Sequence, residues 1–250
     1  MRKTLFITAL AITAGFTLTG CSGSSKKMQE AHQAEKSGQT AKAVKIYTAV
    51  SRGSAAALKF PDSKKGGRLE PAAWRNEVEK YLNGISGHGV KPNNSTGAAL
   101  DGLDRCMGLK ENDNSVQIHA PKLLDEKAFG GLFNNVFTPP SADSTEWSAL
   151  VTNAFQKNFS ILQISSPVSY SYEVSVVSRS VSRRIDFTMY PESKLIIPLA
   201  SGDYSVIVKS SVTFQQGQYW TSEFSAFQVN IPAQPSLVAM NLRTKVARKQ

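Results

Sequence analysis

Near residue 157 the chain changes its hydrophobic period, and that change limits the fold more than any other feature of the sequence. Before it, apolar residues recur at steps of three and four: Trp74, Val78, Tyr81, Leu82 and Ile85 form a stripe, with Arg75, Glu79 and Lys80 opposite. After it they alternate: Val168, Tyr170, Tyr172, Val174 and Val176 are separated by Ser169, Ser171, Glu173 and Ser175. A helix repeats about every 3.6 residues and a strand every second one, so the first pattern gives helices with one buried side and the second gives half-buried strands. The expected class is α+β: an N-terminal helical region, residues 28–156, followed by a C-terminal antiparallel β-sandwich, residues 157–246.

Within the helical region, residues 26–52 read as two short helices broken at Gly38, with Ala43, Val44, Tyr47 and Val50 on one side. Residues 60–68, rich in Pro, Lys and Gly, are a loop, and Pro71 opens the next helix where a missing N–H does no harm. Gly84, Gly87 and Gly89 end that helix. Residues 98–109 and 121–129 read as shorter helices, the second broken by Gly130 and Gly131. Asp143 is placed to cap a last helix, with Glu146 three residues on and Trp147, Leu150, Val151, Ala154 and Phe155 on its buried side. The small and aromatic spacing of Ala31, Ala34, Gly38, Ala43, Tyr47 and Gly53 resembles a tetratricopeptide-type helical hairpin. The resemblance covers about one repeat and lacks the large aromatic of the first helix. A single hairpin cannot bury its own face, so it must pack on the rest of the protein.

Strand candidates after residue 157 are residues 159–164, 168–176, 184–190, 194–199, 204–214, 219–231 and 237–244, several of them separated by Gly, Pro, Asp or Ser. Their alternating faces can satisfy each other, so residues 158–246 are expected to fold as an all-β unit. The run Leu199, Ala200, Ser201, Gly202, Asp203, Tyr204 and Val206 is similar to the turn into a strand of immunoglobulin-like, fibronectin-like and transthyretin-like domains, in which a tyrosine braces the corner. The resemblance implies an immunoglobulin-like sandwich architecture and brings no catalytic residue with it.

The N-terminus carries a different kind of signal. Arg2 and Lys3 precede an apolar run, residues 5–16, too short for a permanent membrane span, and Leu18, Thr19 and Gly20 lead into Cys21. The pattern resembles the lipobox signal peptide of bacterial lipoproteins. That resemblance implies removal of residues 1–20, a diacylglycerol on the Cys21 thiol, and acylation (palmitate) of the freed amine. Each buried methylene contributes about 0.8 kcal/mol, so two or three chains hold a protein at a membrane where one does not. Ser22 in place of an aspartate implies the outer membrane, with the folded part in the periplasm or outside. Residues 21–27 then read as a lipidated flexible tether, and residues 247–250 as a basic tail.

Charge and composition exclude more than they select. The formal net charge is +10, and loss of Arg2 and Lys3 with the signal peptide lowers it by two, to +8. For an envelope protein the expected electrostatic partners are anionic lipid or lipopolysaccharide, not nucleic acid. No phosphate-binding glycine loop, zinc-binding helix or nucleophile elbow occurs in the sequence, and His32, His88 and His119 lack metal-ligand spacing. No cofactor or metal is therefore expected. Cys106 is the cysteine left over once Cys21 is lipidated, and Leu103, Cys106, Met107 and Leu109 share an apolar helix face. Two functions are consistent with these features. One is a protein-binding or scaffolding lipoprotein of a secretion or pilus assembly; the other is an envelope hydrolase acting on peptidoglycan or peptides, with Cys106 or a carboxylate as the reactive group and His88 or His119 as base.

For the binding function, Tyr219 and Trp220 follow a polar turn and must point to opposite faces of their strand, so the core can use one of them. With Arg183 and Arg184, which also point oppositely, they make the expected contact surface toward an acidic envelope partner. The anchor is tested more directly. Cys21→Ala removes the thiol that forms the thioether, so the precursor should stay unprocessed, incorporate no labelled palmitate and leave the detergent phase in a Triton partition.

Overall fold

The alternating stretches form strands, and the strands form two sheets. The computed structural model describes residues 22–62, 69–87, 93–107, 116–140, 144–166, 171–212 and 221–242. Its elements run α1 (Ser22–Lys36), α2 (Thr40–Ser54), β1 (Ala56–Ala57), α3 (Pro71–Ile85), α4 (Asn94–Met107), β2 (Val116–Ile118), β3 (Lys122–Leu123), α5 (Glu126–Phe137) and α6 (Ser144–Gln156). Strands β4 (Ser160–Ser165), β5 (Tyr172–Ser178), β6 (Arg183–Met189), β7 (Lys194–Leu199), β8 (Gly202–Val212), β9 (Thr221–Ile231) and β10 (Ser236–Leu242) follow. The class is α+β, helices first and strands after.

The first sheet has the order β1-β6-β5-β8-β9 and the second β2-β10-β4-β7, with β3 also paired to β10. The sandwich is not wholly antiparallel as expected. Strands β4 and β10 lie side by side and parallel, as do β1 and β6. No hairpin joins either pair, and a parallel neighbour needs a long crossover, here the whole excursion through β5 to β9. The strand order also departs from the ABED and CFG sheets of constant immunoglobulin domains, because the second sandwich strand, β5, pairs with the third, β6. The corner does form as the resemblance implied: the Tyr204 hydroxyl donates to the Ala200 carbonyl at 2.9 Å.

Two hydrophobic clusters hold the elements together. In the larger, Trp74, Val78 and Tyr81 of α3, Phe129, Phe133 and Phe137 of α5 and Trp147 of α6 join Val174, Val176, Val206, Leu162, Ile164 and Met240 of the two sheets. Helices and sandwich therefore share one core across residue 157. The Tyr81 hydroxyl ties α3 to the second sheet by donating to the Pro198 carbonyl at 2.6 Å, on edge strand β7, where a proline is tolerated. In the smaller cluster, Ala31 and Ala34 of α1, Ala43, Tyr47 and Val50 of α2, and Ala99, Leu100 and Leu103 of α4 surround Val177 and Ile207. These two project from the side of the first sheet opposite Val176 and Val206, so a three-helix bundle covers the sheet's outer face.

Three helical expectations need correction. Gly130 and Gly131 do not break α5, which runs through them to Phe137. Two interior glycines cost about 1 kcal/mol each, and three fully buried phenylalanines on one side contribute about 1.5–3 kcal/mol apiece, which outweighs that. Residues 122–123, read as helix, are strand β3, and α5 starts only at Glu126, where the Asp125 carboxylate accepts from the Ala128 N–H at 2.7 Å. The flexible tether is absent as such: residues 22–27 are the first turns of α1. Lys, Met, Gln and Glu are good helix formers, and Met28, Ala31 and Ala34 give that helix a side to pack.

Helices α2 and α4 meet closely because Gly102 has no side chain. A Cβ there would stand 2.4 Å from the Tyr47 ring, whereas at Gly97 it would meet nothing within 4 Å. Gly102→Ala should lower stability by about 1–3 kcal/mol, and Gly97→Ala should raise it by up to about 1 kcal/mol. Urea unfolding of both variants checks the pair.

Candidate functional site

Of the residues expected to meet a partner, Cys21, Tyr219 and Trp220 lie outside the described residues. Arg183 and Arg184 open β6, beside β1. The Arg184 guanidinium serves its own chain: Nη1 donates to the carbonyl of Ala55 at 2.6 Å and to that of Arg52, and Nε to Asp186 at 2.8 Å. Arg52 and Ala55 lie at the end of α2, where free carbonyls and the helix dipole favour a cation. Burial pushes the Asp186 carboxyl up, but a 2.6 Å hydrogen bond from Ser175, with the Arg184 bond and the Arg184 and Arg52 charges, holds it below the usual carboxylate range. Arg183 is half-buried, and its Nε is buried with no hydrogen-bond partner among the described residues.

The register also separates the two halves of the expected surface. Arg184 is opposite Val177, Val177 opposite Ser205, and Ser205 opposite Gln228 on β9. Thr221, the neighbour of Trp220, is seven residues from Gln228, about 23 Å along the strand, and three strand spacings, about 14 Å, lie between β6 and β9. Arg183 and Arg184 therefore stand at the corner of the sheet diagonal to Thr221, too far to share one contact.

Helices α1, α2 and α4 bring together a tyrosine, a histidine, a glutamate and an arginine. The Tyr47 hydroxyl donates to Glu35 Oε2 at 2.6 Å, and His32 Nδ1 lies 3.0 Å from the same hydroxyl oxygen. Since the single phenol proton goes to Glu35, the imidazole contact is made by its Nδ1–H tautomer. Arg105 grips Glu35 with two bonds, 2.9 and 3.2 Å. Arg105, then Tyr47, holds the Glu35 carboxyl down at about 2, and burial together with Glu35 pushes the Tyr47 phenol up to about 12. Cys106 is next in sequence to Arg105, but burial and the Glu35 charge push its thiol up, away from the thiolate a nucleophile needs. No hydrogen bond joins Cys106 to a histidine among the described residues, and His119 is held instead by Asn241 at 2.9 Å. His88 lies outside them. Among the described residues no group of three or more His, Cys, Asp or Glu side chains is placed to hold a metal.

A second arginine acts as a clip. Arg179, in the turn after β5, donates to Ser205 at 3.0 Å, to Asp101 at 3.1 Å and to Asp104, and Gln228 reaches Asp104 at 2.7 Å. Together these bonds fasten α4 to the outer face of the first sheet.

The feature that sequence reasoning missed is a groove of about 560 Å³ where β6 runs past residues 58–62. Leu58, Phe60, Val136, Phe187 and Leu195 give it apolar walls, and Lys59, Asp62 and Thr188 sit at its rim. Phe60 is its anchor, set edge-to-face against Tyr81 and Phe187 with ring centroids 5.0 and 5.1 Å apart. The available signal was an aromatic residue inside a loop of otherwise polar and turn-forming types. Neither family models, curated proteins nor solved structures give a match to this chain.

The Glu35 group makes a pH prediction. Its folded-state pKa is below the ordinary 4.5, so its contribution to stability is complete above that value and disappears as pH falls toward 2. The difference in urea midpoint between the parent and Glu35→Gln should be largest near neutrality and shrink steadily below about pH 4.5. A difference that stays constant to pH 2 would show that the ion pair adds nothing.

Proposed function

We propose that this chain is a lipoprotein of the outer membrane, held there by acyl chains on Cys21, and that it binds or scaffolds another protein of the cell envelope, as part of a secretion or pilus assembly. The observation that carries the proposal is the ordered series of basic start, short apolar run and Leu18-Thr19-Gly20-Cys21, all at the N-terminus and directly before α1. The internal chemistry supports a binding role over a catalytic one. Arg105, Arg179 and Arg184, with Glu35, Asp101, Asp104 and Asp186, join helices to one another or to the first sheet, and the Cys106 thiol is pushed up and has no histidine bonded to it among the described residues. Exposed Lys26 and Lys27 sit on the first turns of α1, where anionic headgroups or lipopolysaccharide phosphates would meet them.

Affinity capture of the acylated protein from crosslinked envelopes, followed by mass spectrometry, tests the reading. The expected result is stoichiometric recovery of an envelope protein that is lost with Cys21→Ala. Recovery of the protein alone, or release of peptidoglycan fragments by the purified chain, would overturn it.

A further inference from the structure

The edge of the first sheet beside the groove is only partly used. Strand β1 adds to β6 in parallel, with Ala56 N–H donating to the Ser182 carbonyl at 2.9 Å and Leu58 N–H to the Arg184 carbonyl at 2.8 Å. Backbone groups of a strand point to alternate sides, so those bonds identify the even-numbered residues of β6 as the ones facing outward. Asp186 and Thr188 come next on that side. Among the described residues no strand pairs with them, because residues 58–62 leave the edge and cross over the Phe187 ring. The groove opens at this point, lined by Asp186, Phe187 and Thr188 themselves. At about 560 Å³ it falls in the usual range of ligand sites, and Tyr190, 67 % exposed, stands just beyond the strand end.

One edge of the second sheet is guarded differently. Strand β7, which ends the second sheet, carries Pro198 and Lys194, and α3 and α5 pack on it. Proline, lysine and a covering helix are the devices by which sheets keep foreign strands off. The half of β6 left unpaired among the described residues has neither proline nor lysine in Asp186, Phe187, Thr188 and Met189; β9, at the sheet's other edge, lacks both as well, and of the two it is β6 that lines the groove.

We infer that this half-edge is a docking site for an extended segment of a partner protein, which adds to β6 at Asp186 and Thr188 and places an apolar side chain in the groove between Phe60, Phe187 and Val136. Strand β1 is the internal precedent: a short extended segment from outside the sandwich that already adds to this edge. Backbone hydrogen bonds supply the general affinity of such a mode, and the groove selects the side chain. The inference rests on the protein-binding function proposed above and names its site and the form of its partner.

The test uses the full acylated chain in detergent and fluorescein-labelled heptapeptides of alternating Thr with Val, Leu or Phe. Saturable binding by anisotropy is expected, with amide shifts of Asp186 and Thr188 in nitrogen-15 spectra. N-methylation of alternate peptide amides should weaken binding roughly tenfold, as should Thr188→Pro, while Thr188→Val should leave it unchanged. If Thr188→Pro fails to fold, the shift map of the parent protein decides alone. No saturable binding at millimolar peptide, or shifts confined to β9, overturns the inference. Either result leaves envelope capture unaffected, so failure of the site and failure of the binding function are distinguished.

Discussion

Val176 and Val177 are adjacent in the chain and project to opposite sides of one sheet, and both are fully buried. That pair states the constraint on which the rest of the structure depends. The first sheet has to be covered twice, by the second sheet on one side and by α1, α2 and α4 on the other. Val206 and Ile207 on β8 repeat the requirement. A sheet with one wet face would lose little without the helical bundle, whereas β5 and β8 would forfeit about 1.5–3 kcal/mol for each of Val177 and Ile207 exposed.

The ionic residues follow from the same arrangement. A bundle laid on a sheet has no backbone hydrogen bonds across the contact, so side chains must supply direction. Arg179 does so at the turn after β5, by bonding two aspartates of α4, and Arg184 does so by bonding the end of α2. Both guanidinium groups are largely shielded, so salt should weaken them less than exposed pairs. Inside the bundle, Glu35, Tyr47 and Arg105 fix how α1, α2 and α4 sit, with Gly102 permitting the approach.

Much of this was legible from periodicity. The three-and-four spacing from Trp74 to Ile85 and the alternation from Tyr172 to Val176 identify the right elements because each keeps one period, although β5 proves buried on both faces. The elements that differ share a cause: local propensity does not contain the partner. Gly130 and Gly131 look like breakers until Phe129, Phe133 and Phe137 have a core to enter, and residues 122–123 look helical until β10 offers hydrogen bonds. The parallel pairing of β4 with β10 leaves no local trace, since it joins residues 76 apart in the chain, such as Ile161 and Leu237. The roles of Arg179 and Arg184 were hidden for the same reason. A cluster of arginines reads as a surface charge until the carbonyls and aspartates opposite them are known, and the β6 groove needs residues 58–62, 136 and 195 to converge.

Helix α1 begins at the residue after Cys21, and its first fully buried side chain is Ala31. Nine residues of helix rise about 14 Å. A coil of similar length would spread over a comparable distance, about 15–18 Å, with no preferred direction. Under the proposed lipidation the difference is one of heading. A rod held by its acylated end can swivel about the anchor, but the sheet it carries stays at a set distance from that anchor and keeps one orientation relative to the rod. Such a molecule samples a shell, not a volume, and a partner has to meet it near the membrane surface.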